Sequence, residues 1–238
     1  MTDTATRNPT RVQLACAMNP AHRAAMPLRG LIFDFDGLIV DTETATADAW
    51  HQVHAEDGFV ADPAVLHSVV GHVGIEVDIW TAYPESYDRG SLSARFLRYT
   101  RQRCLEAPVL PGVTELLDTA RAAGLPLAVA SNSTHRHVEG HLAARGLLDR
   151  FLAVVCREDV ERGKPAPDLY LAALERLGLE AADVVAFEDS VPGHQAAAAA
   201  GLRVIVVPNP STRGDVFPFA TRRMESMREV NLAFLTKL

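Results

Sequence analysis

The strongest constraint on the fold is an alternation of short apolar runs with helix-like segments over residues 112–207. The apolar runs cover residues 125–130, 153–156, 184–187 and 203–207. Segments with helical spacing lie before or between them, at residues 112–123, 134–145, 167–177 and 192–200. An earlier apolar run, Gly30-Leu-Ile-Phe-Asp34, has the composition of a strand buried on both faces. Strands that alternate with helices predict a doubly wound parallel sheet, an α/β fold with right-handed crossovers.

A helix-rich block interrupts this alternation after the first strand. It carries helix-like patterns at residues 45–56 and 92–105, and Asp62-Pro63 is typical of a helix start between them. We interpret residues 42–107 as an inserted α-helical cap domain, with Asp41 capping a helix where the insertion begins. The α/β core then comprises residues 30–41 and 108–238. Residues 1–29 are expected to form a poorly ordered extension, and a last helix is expected around residues 222–234.

Length and charge limit the class of protein. The chain has 238 residues and a net charge of −7, from 23 basic and 30 acidic side chains. A core plus an insertion fits this length, and the acidic balance argues against nucleic-acid binding, which needs basic surface. No apolar run approaches the length of a membrane span. Three widely spaced cysteines favour the reducing cytoplasm over a disulfide framework. A monomer or a small homo-oligomer is expected.

Polar side chains follow the predicted strands, at the edge where doubly wound sheets bind their ligands. They are Asp34 and Asp36 after the first strand, Ser131 and Asn132 after the second, Lys164 in the loop beyond the third, and Glu188 and Asp189 after the fourth. Carboxylates, a hydroxyl, an amide and one ammonium suit phosphoryl transfer. A carboxylate can attack phosphorus, and Mg²⁺ prefers oxygen ligands and neutralises the repelling anions.

Each of these residues receives a predicted role. Asp34 is placed to act as the nucleophile, and Asp36 is placed to protonate the leaving alkoxide and later to deprotonate water. Asp34, the backbone carbonyl of Asp36, and Asp189 would bind Mg²⁺. Lys164, Ser131 and Asn132 would hold the remaining phosphate oxygens.

The same residues carry a family resemblance. Asp34-Phe-Asp-Gly-Leu-Ile-Val-Asp41 resembles the first motif of the haloacid dehalogenase superfamily, and Ala130-Ser-Asn132 resembles the second. Lys164-Pro165 and Glu188-Asp-Ser-Val-Pro-Gly193 are similar to the third and fourth. The resemblance spans about residues 31–210 and includes a helical cap like that of β-phosphoglucomutases and phosphoglycolate phosphatases. It implies the same roles for the two aspartates, and makes Glu188 a metal ligand or a hydrogen-bond partner of one.

Within that family, a Mg²⁺-dependent phosphatase acting on a small phosphorylated metabolite is favoured. A haloalkanoate dehalogenase would need neither Asp36 nor the Glu188-Asp189 pair, and a phosphonatase needs a cap lysine that residues 42–106 lack. The serious alternative is a sugar-phosphate mutase of the β-phosphoglucomutase type. Its cap carries a basic segment, whereas Val69-Val-Gly-His-Val-Gly-Ile75 has neither lysine nor arginine, although His72 could partly substitute. An inactive phosphate-binding module would have lost some of these residues.

Other candidate metal or catalytic residues receive structural interpretations. His137 and His141 lie four apart, but no zinc-site pattern surrounds them. Cys156 reads as a small buried side chain on a strand. Ser131, besides binding phosphate, was a candidate to cap the helix that starts near Thr134.

Overall fold

The central sheet has six strands, and all of its pairings are parallel. The computed structural model of the protein describes residues 28–67 and 78–238. The strands are β1 (Gly30–Phe33), β2 (Leu127–Ala130), β3 (Ala153–Val155), β4 (Val184–Glu188), β5 (Arg203–Val206) and β6 (Arg222–Arg223). Their spatial order is β3-β2-β1-β4-β5-β6, with β1 hydrogen-bonded to β2 and β4. The predicted α/β fold with a doubly wound parallel sheet is confirmed.

Helices cover both faces of this sheet. The helices are α1 (Thr42–Glu56), α2 (Pro63–His67), α3 (Arg89–Glu106), α4 (Val113–Ala122), α5 (His135–Ala144), α6 (Asp168–Leu177), α7 (Val191–Ala199) and α8 (Leu232–Leu235). Alternate residues of a strand point to opposite faces. Leu31 and Phe33 therefore join an apolar cluster with α4 and α5, while Ile32 joins a second cluster with α6 and α7.

Helices α1 to α3 form an insertion between β1 and α4, hereafter the helical insertion (residues 42–107). They share an apolar cluster of their own, which includes Trp50, Trp80, Tyr83 and Leu92. The two chain connections to the core run side by side: Asp41 N–H donates to the Pro108 carbonyl (3.2 Å), and Leu110 N–H donates to the Ile39 carbonyl (2.9 Å). The insertion is thus joined to the core through a short paired segment.

Asp41 has the predicted capping role, because its side chain accepts a hydrogen bond from Thr44 N–H at the start of α1. The helix begins at Thr42, three residues before the predicted start, since the cap brings the first turn into the helix. The segment Val69–Ile75, which lacks lysine and arginine, and nearly all of the N-terminal extension lie outside the described residues, so the predictions made for them are not tested.

The C-terminal prediction was wrong. In place of a helix around 222–234, the chain forms β6, a 3₁₀ turn (Met227–Glu229) and the short α8. Thr221 N–H donates to the Val204 carbonyl (2.7 Å) and Met224 N–H to the Val206 carbonyl (2.9 Å). The unpaired backbone groups at the edge of β5 form hydrogen bonds with this segment, which therefore becomes a strand. Local hydrophobic periodicity does not predict such a long-range pairing. No helix in the part of the chain that the structure describes is long and apolar enough to cross a membrane.

Candidate active site

The predicted site residues meet at the carboxyl end of the sheet. In the parallel register Phe33 lies opposite both Val129 and Phe187, so the residues that follow these strands reach the same edge. Asp34 N–H donates to the Phe187 carbonyl (3.0 Å), which continues the ladder one residue beyond β1. The Asp34 carboxylate is thereby fixed between the ends of β2 and β4.

Lys164 joins two of the buried carboxylates. Its ammonium donates to Asp34 Oδ1 and to Glu188 Oε1, each at 2.6 Å, and the side chains of Lys164, Asp34 and Glu188 are 3%, 10% and 0% exposed. The Tyr170 hydroxyl, on α6, also donates to Glu188 Oε1. Two donors thus meet at Glu188 Oε1, and Glu188 lies at the end of β4 rather than after it.

Asn132 holds the loop that carries Lys164. Lys164 N–H donates to Asn132 Oδ1 (2.8 Å), and Asn132 Nδ2 donates to the Lys164 carbonyl (3.3 Å). The Ser131 hydroxyl accepts from Ser133 N–H (3.0 Å), and Thr134 rather than Ser131 caps α5. The loop after β2 thus holds the loop after β3, because the Asn132 side chain is hydrogen-bonded to the main chain of Lys164.

Asp189 presents an oxygen that no neighbour satisfies. Asn209 Nδ2 donates to its Oδ2 (2.7 Å), whereas its buried Oδ1 has no hydrogen-bond partner among the described residues. Carboxylate oxygens of Asp34, Glu188 and Asp189 lie within 4.8 Å of one another. A buried acceptor without a partner, beside two further carboxylates, fits a bound divalent cation with oxygen ligands.

The raised pKa values of the carboxyl groups around Asp34 also favour a bound cation. Burial raises the pKa of Asp34 to about 7, against the opposing charge of Lys164, and the neighbouring Glu188 adds to the rise. Burial and the charges of Asp34 and Glu188 raise the pKa of Asp189 well above its usual range. Burial and the nearby aspartates, Asp36 first, raise the pKa of Glu43 to about 8. The single ammonium of Lys164 does not neutralise the clustered carboxylates of Asp34, Glu188 and Asp189. An added divalent cation would balance their charge.

Asp36 lies in a different environment, although it is only two residues from Asp34. Three groups donate to its carboxylate: Ser133 Oγ (2.6 Å), Thr42 Oγ1 (2.9 Å) and His137 Nε2 (2.9 Å). Burial would raise the pKa of Asp36, but the hydrogen bond and charge of His137, with the two hydroxyls, lower it below its ordinary value. The two aspartates therefore differ in electrostatic environment: the pKa of Asp34 is raised, whereas that of Asp36 is lowered.

The sequence interpretation missed several of these residues. Asn209 lies three residues beyond the end of β5, so the rule that found the other strand-end residues would also have found it. His137 was considered for zinc spacing alone, and its contact with Asp36 depends on how α5 sits against β1. Tyr170 lies within a helix and gives no signal in the sequence.

A close approach of the chain explains the glycine after Asp36. Gly37 has φ +74°, and a Cβ added there would lie 2.4 Å from Asn209 Nδ2 and 2.5 Å from Asp189 Oδ2. Only glycine fits this backbone conformation and this space. The Asp34–Gly37 turn can therefore lie directly against Asp189.

Known proteins are similar to this chain over most of its length. Residues 31–207 match the family model described as haloacid dehalogenase-like hydrolase. The chain belongs to that family. Protein YhcW of Bacillus subtilis (strain 168) is 38% identical over 213 residues, covering 87% of this chain and 96% of that protein. Hexitol phosphatase B of Escherichia coli (strain K12) is 33% identical over 205 residues, covering 84% and 92%.

Solved structures agree with this assignment. A crystal structure of CbbY from Rhodobacter sphaeroides in complex with xylulose-(1,5)bisphosphate superimposes with a TM-score of 0.70 at 28% identity, covering 87% of this chain and 98% of that one. Relatives of this chain include both phosphatases and β-phosphoglucomutase-like proteins. The predicted family and hydrolase class are confirmed.

Proposed function

We propose that this enzyme is a Mg²⁺-dependent phosphatase that hydrolyses a small phosphorylated metabolite through an aspartyl-phosphate at Asp34. One observation carries the proposal. The Asp34 carboxylate is buried at the end of β1, bonded to Lys164 and crowded by Glu188 and Asp189. A carboxylate fixed in this way attacks phosphorus once the surrounding negative charge is neutralised.

The metal would be held by Asp34, Asp189 and the backbone carbonyl of Asp36, with Glu188 as a further ligand or as a partner of one. Mg²⁺, when bound, supplies positive charge that lowers the repulsion between the Asp34 carboxylate and an incoming phosphate dianion. Lys164 neutralises part of the same charge through its ion pair with Asp34. Its hydrogen bond to Asp34 Oδ1 also orients that carboxylate, and its second hydrogen bond ties the ammonium to Glu188.

The chain's own residues supply the remaining steps. Asp34 forms the bond to phosphorus while the bond to the leaving oxygen breaks, and Asp36 gives that oxygen a proton. Asp36 then takes a proton from the water that hydrolyses the aspartyl-phosphate. Ser131 and Asn132 would bind the phosphate oxygens. Because the Asn132 amide is bonded to the Lys164 main chain, its backbone N–H is the group we assign to phosphate.

The helical insertion would act as a cap over this site. Thr42, the first residue of α1, touches Asp36, so the insertion begins at the catalytic carboxylate. Closure would exclude water during phosphorylation. Amide exchange at the paired connections, Asp41 and Leu110, should change when a phosphate mimic binds with Mg²⁺. Unchanged exchange there would indicate a fixed insertion.

The mutase remains the second candidate, because β-phosphoglucomutase-like proteins are among the structural neighbours. The absence of lysine and arginine from Val69 to Ile75 favours hydrolysis, since a second phosphate needs a nearby cation when it is buried. An inactive phosphate-binding module is disfavoured, because Asp34, Asp36, Lys164 and Asp189 are all present. A cytoplasmic location stays a prediction, supported by the buried free thiols of Cys104 and Cys156.

The test is a screen of phosphorylated metabolites for release of inorganic phosphate. Hexitol phosphates, sugar monophosphates and pentulose bisphosphates are the first substrates to try, because relatives are named for or crystallised with such compounds. Turnover should require Mg²⁺, disappear reversibly with chelator, and recover poorly with Ca²⁺, whose looser coordination misplaces the attacking carboxylate. Activity that survives complete chelation would contradict the metal assignment.

A parallel incubation separates phosphatase from mutase. The enzyme is given β-glucose 1-phosphate with a trace of the 1,6-bisphosphate, and glucose 6-phosphate and inorganic phosphate are both measured. The phosphatase proposal expects phosphate release from at least one monophosphate of the screen to exceed glucose 6-phosphate formation. Rapid accumulation of glucose 6-phosphate with little free phosphate would establish the mutase.

A further inference from the structure

Helix α5 and its C-cap residue carry three polar side chains spaced four residues apart: His137, His141 and Arg145. Residues with this spacing are neighbours on a helix surface. The His137 and His141 rings are 4.5 Å apart between centroids, and Arg145 donates from its guanidinium to His141 Nδ1 (3.0 Å). The three side chains therefore form one continuous contact row along the helix.

The first end of the row reaches the catalytic carboxylate. His137 Nε2 lies 2.9 Å from Asp36 Oδ1, and the Phe35 ring packs edge-on against the His137 ring with 5.7 Å between centroids. Phe35 also contacts His141, at 6.1 Å. The imidazole of His137 is thus confined between two rings while its nitrogen faces Asp36.

The other end of the row holds the place where the helical insertion rejoins the core. The Arg145 guanidinium donates to the carbonyls of Cys104 (2.8 Å), Leu105 (3.2 Å) and Ala107 (2.6 Å). The last carbonyls of a helix lack partners within it, so a cation is favourable there. Arg145 therefore anchors the C-terminal end of α3 on α5.

The donors to Asp36 come from different parts of the molecule. Thr42 belongs to the helical insertion, whereas Ser133 and His137 belong to the core. A movement of the insertion would carry Thr42 away from Asp36 and would leave the two core donors in place. The histidine is thus suited to keep the carboxylate oriented in a state in which the hydroxyl of Thr42 has left.

We propose that His137 is a positioning residue for the reaction. Its hydrogen bond holds the Asp36 carboxylate in the orientation that proton transfer requires, and His141 and Arg145 hold His137. This inference rests on the proposed function, because it needs Asp36 to act as the acid/base. Proton transfer works only within hydrogen-bond reach of the leaving oxygen, so a carboxylate free to rotate would serve the reaction less often.

The test compares substrates with good and poor leaving groups. His137→Ala should lower kcat at least about tenfold for the best alkyl monophosphate of the screen, which needs its leaving oxygen protonated during cleavage. The rate of p-nitrophenol release in a single turnover of p-nitrophenyl phosphate should fall much less, because that leaving group departs without a proton. His137→Gln, which keeps an N–H at a similar reach, should recover most of the loss.

His135→Gln is the matched control. His135 lies on the same helix and also pairs with a carboxylate, Asp159 (2.7 Å). Its hydrogen-bond partners among the described residues are Glu139, Asp159 and Glu158, and Asp36 is not one of them. This variant should keep wild-type kcat on both substrates. Thermal unfolding of all variants gives the stability change, so that a kinetic loss can be compared at equal folded fraction.

A double variant decides whether His137 acts through Asp36. When Asp36→Asn already lacks the proton-transferring carboxylate, adding His137→Ala should change the remaining rate by less than about threefold. A further tenfold loss in that background would overturn the inference. So would equal losses on alkyl and aryl phosphates, or wild-type kcat in His137→Ala. If the wild-type enzyme releases no phosphate from any substrate, the proposed function fails, and the inference fails with it.

Discussion

Charged groups differ in burial between the sheet edge and the helical insertion. At the sheet edge three buried carboxylates lie together, one ammonium pairs with two of them, and an oxygen of Asp189, the third, has no partner among the described residues. In the insertion, Arg95 binds both Glu56 and Asp57, each at 2.7 Å, on the partly exposed rim of an aromatic cluster. One cation there faces two partly exposed carboxylates, which solvent screens, whereas at the sheet edge one cation faces three buried carboxylates.

The difference separates function from packing. Partly exposed ion pairs contribute little to stability, and solvent rather than a ligand screens any remaining charge. Unmatched buried carboxylates are costly in the folded protein unless a cation or a proton joins them. The excess of buried negative charge at the sheet edge therefore destabilises the fold and indicates a functional site. Corresponding substitutions in the two regions should have different effects.

The largest difference should be in turnover. Asp34→Asn removes the proposed nucleophile and should lower phosphate release by more than about 10⁴-fold, while the protein still folds. Asp57→Asn, the matched change in the insertion, should leave kcat within about twofold of wild type, since Asp57 pairs with Arg95 at a distance from the chemistry. Wild-type turnover in Asp34→Asn would refute the mechanism.

Stability should respond strongly to loss of the shared ammonium. Lys164→Met leaves Asp34 and Glu188 buried without their cation and should cost about 3–5 kcal/mol of unfolding free energy. Arg95→Met breaks two partly exposed pairs and should cost about 1 kcal/mol or less. Urea denaturation in chelator measures both, and equal costs would remove the distinction between the two regions.

Two glycines with similar backbone angles provide a steric comparison. Gly37 has φ +74° and a Cβ there would collide with Asn209 and Asp189, whereas Gly58 has φ +78° and open space around it. Gly58→Ala should cost about 1 kcal/mol from backbone strain alone. Gly37→Ala should cost about 2–4 kcal/mol, because overpacking is added to the same strain. Thermal and urea unfolding test this, and similar costs at the two positions would exclude a tightly packed site.

The smallest effect should be the response of Tm to Mg²⁺ at different pH. Because the pKa of Asp34 is raised to about 7 in the folded protein, folding without metal binds protons, and the contribution of this group to stability falls as pH rises from about 4 to 7. Mg²⁺ must displace that proton below pH 7. The Mg²⁺-induced rise in Tm should therefore be larger at pH 8 than at pH 6.

Two variants control this measurement. Asp189→Asn should weaken the Mg²⁺ response at both pH values, since it removes a charged ligand. Asp57→Asn should keep the full response. A Tm rise of the same size at pH 6 and pH 8 in the wild type would show that no carboxyl of raised pKa competes with the metal.

The sequence determined the sheet and most of the site, because both depend on local patterns. Apolar runs and helix caps predicted all the strands of the core except β6, and reading the residues after each strand found Asp34, Ser131, Lys164 and Asp189. The carboxyl ends of parallel strands lie at one edge of the sheet. Residues that follow separate strands in the sequence are therefore expected to lie together in one site. The same rule also applied to Asn209, which was overlooked.

Only the tertiary structure decided which partners these side chains have. His137 meets Asp36 across 101 residues, and Lys164 meets Asp34 across 130. Such distances are set by how α5 and the Lys164 loop pack on β1, and no local preference encodes them. For the same reason β6 replaced a predicted helix: the edge of β5 supplied hydrogen bonds that the segment could not find in itself. Local patterns place chemical groups on elements, while packing decides the contacts, the burial and therefore the charge state of each group.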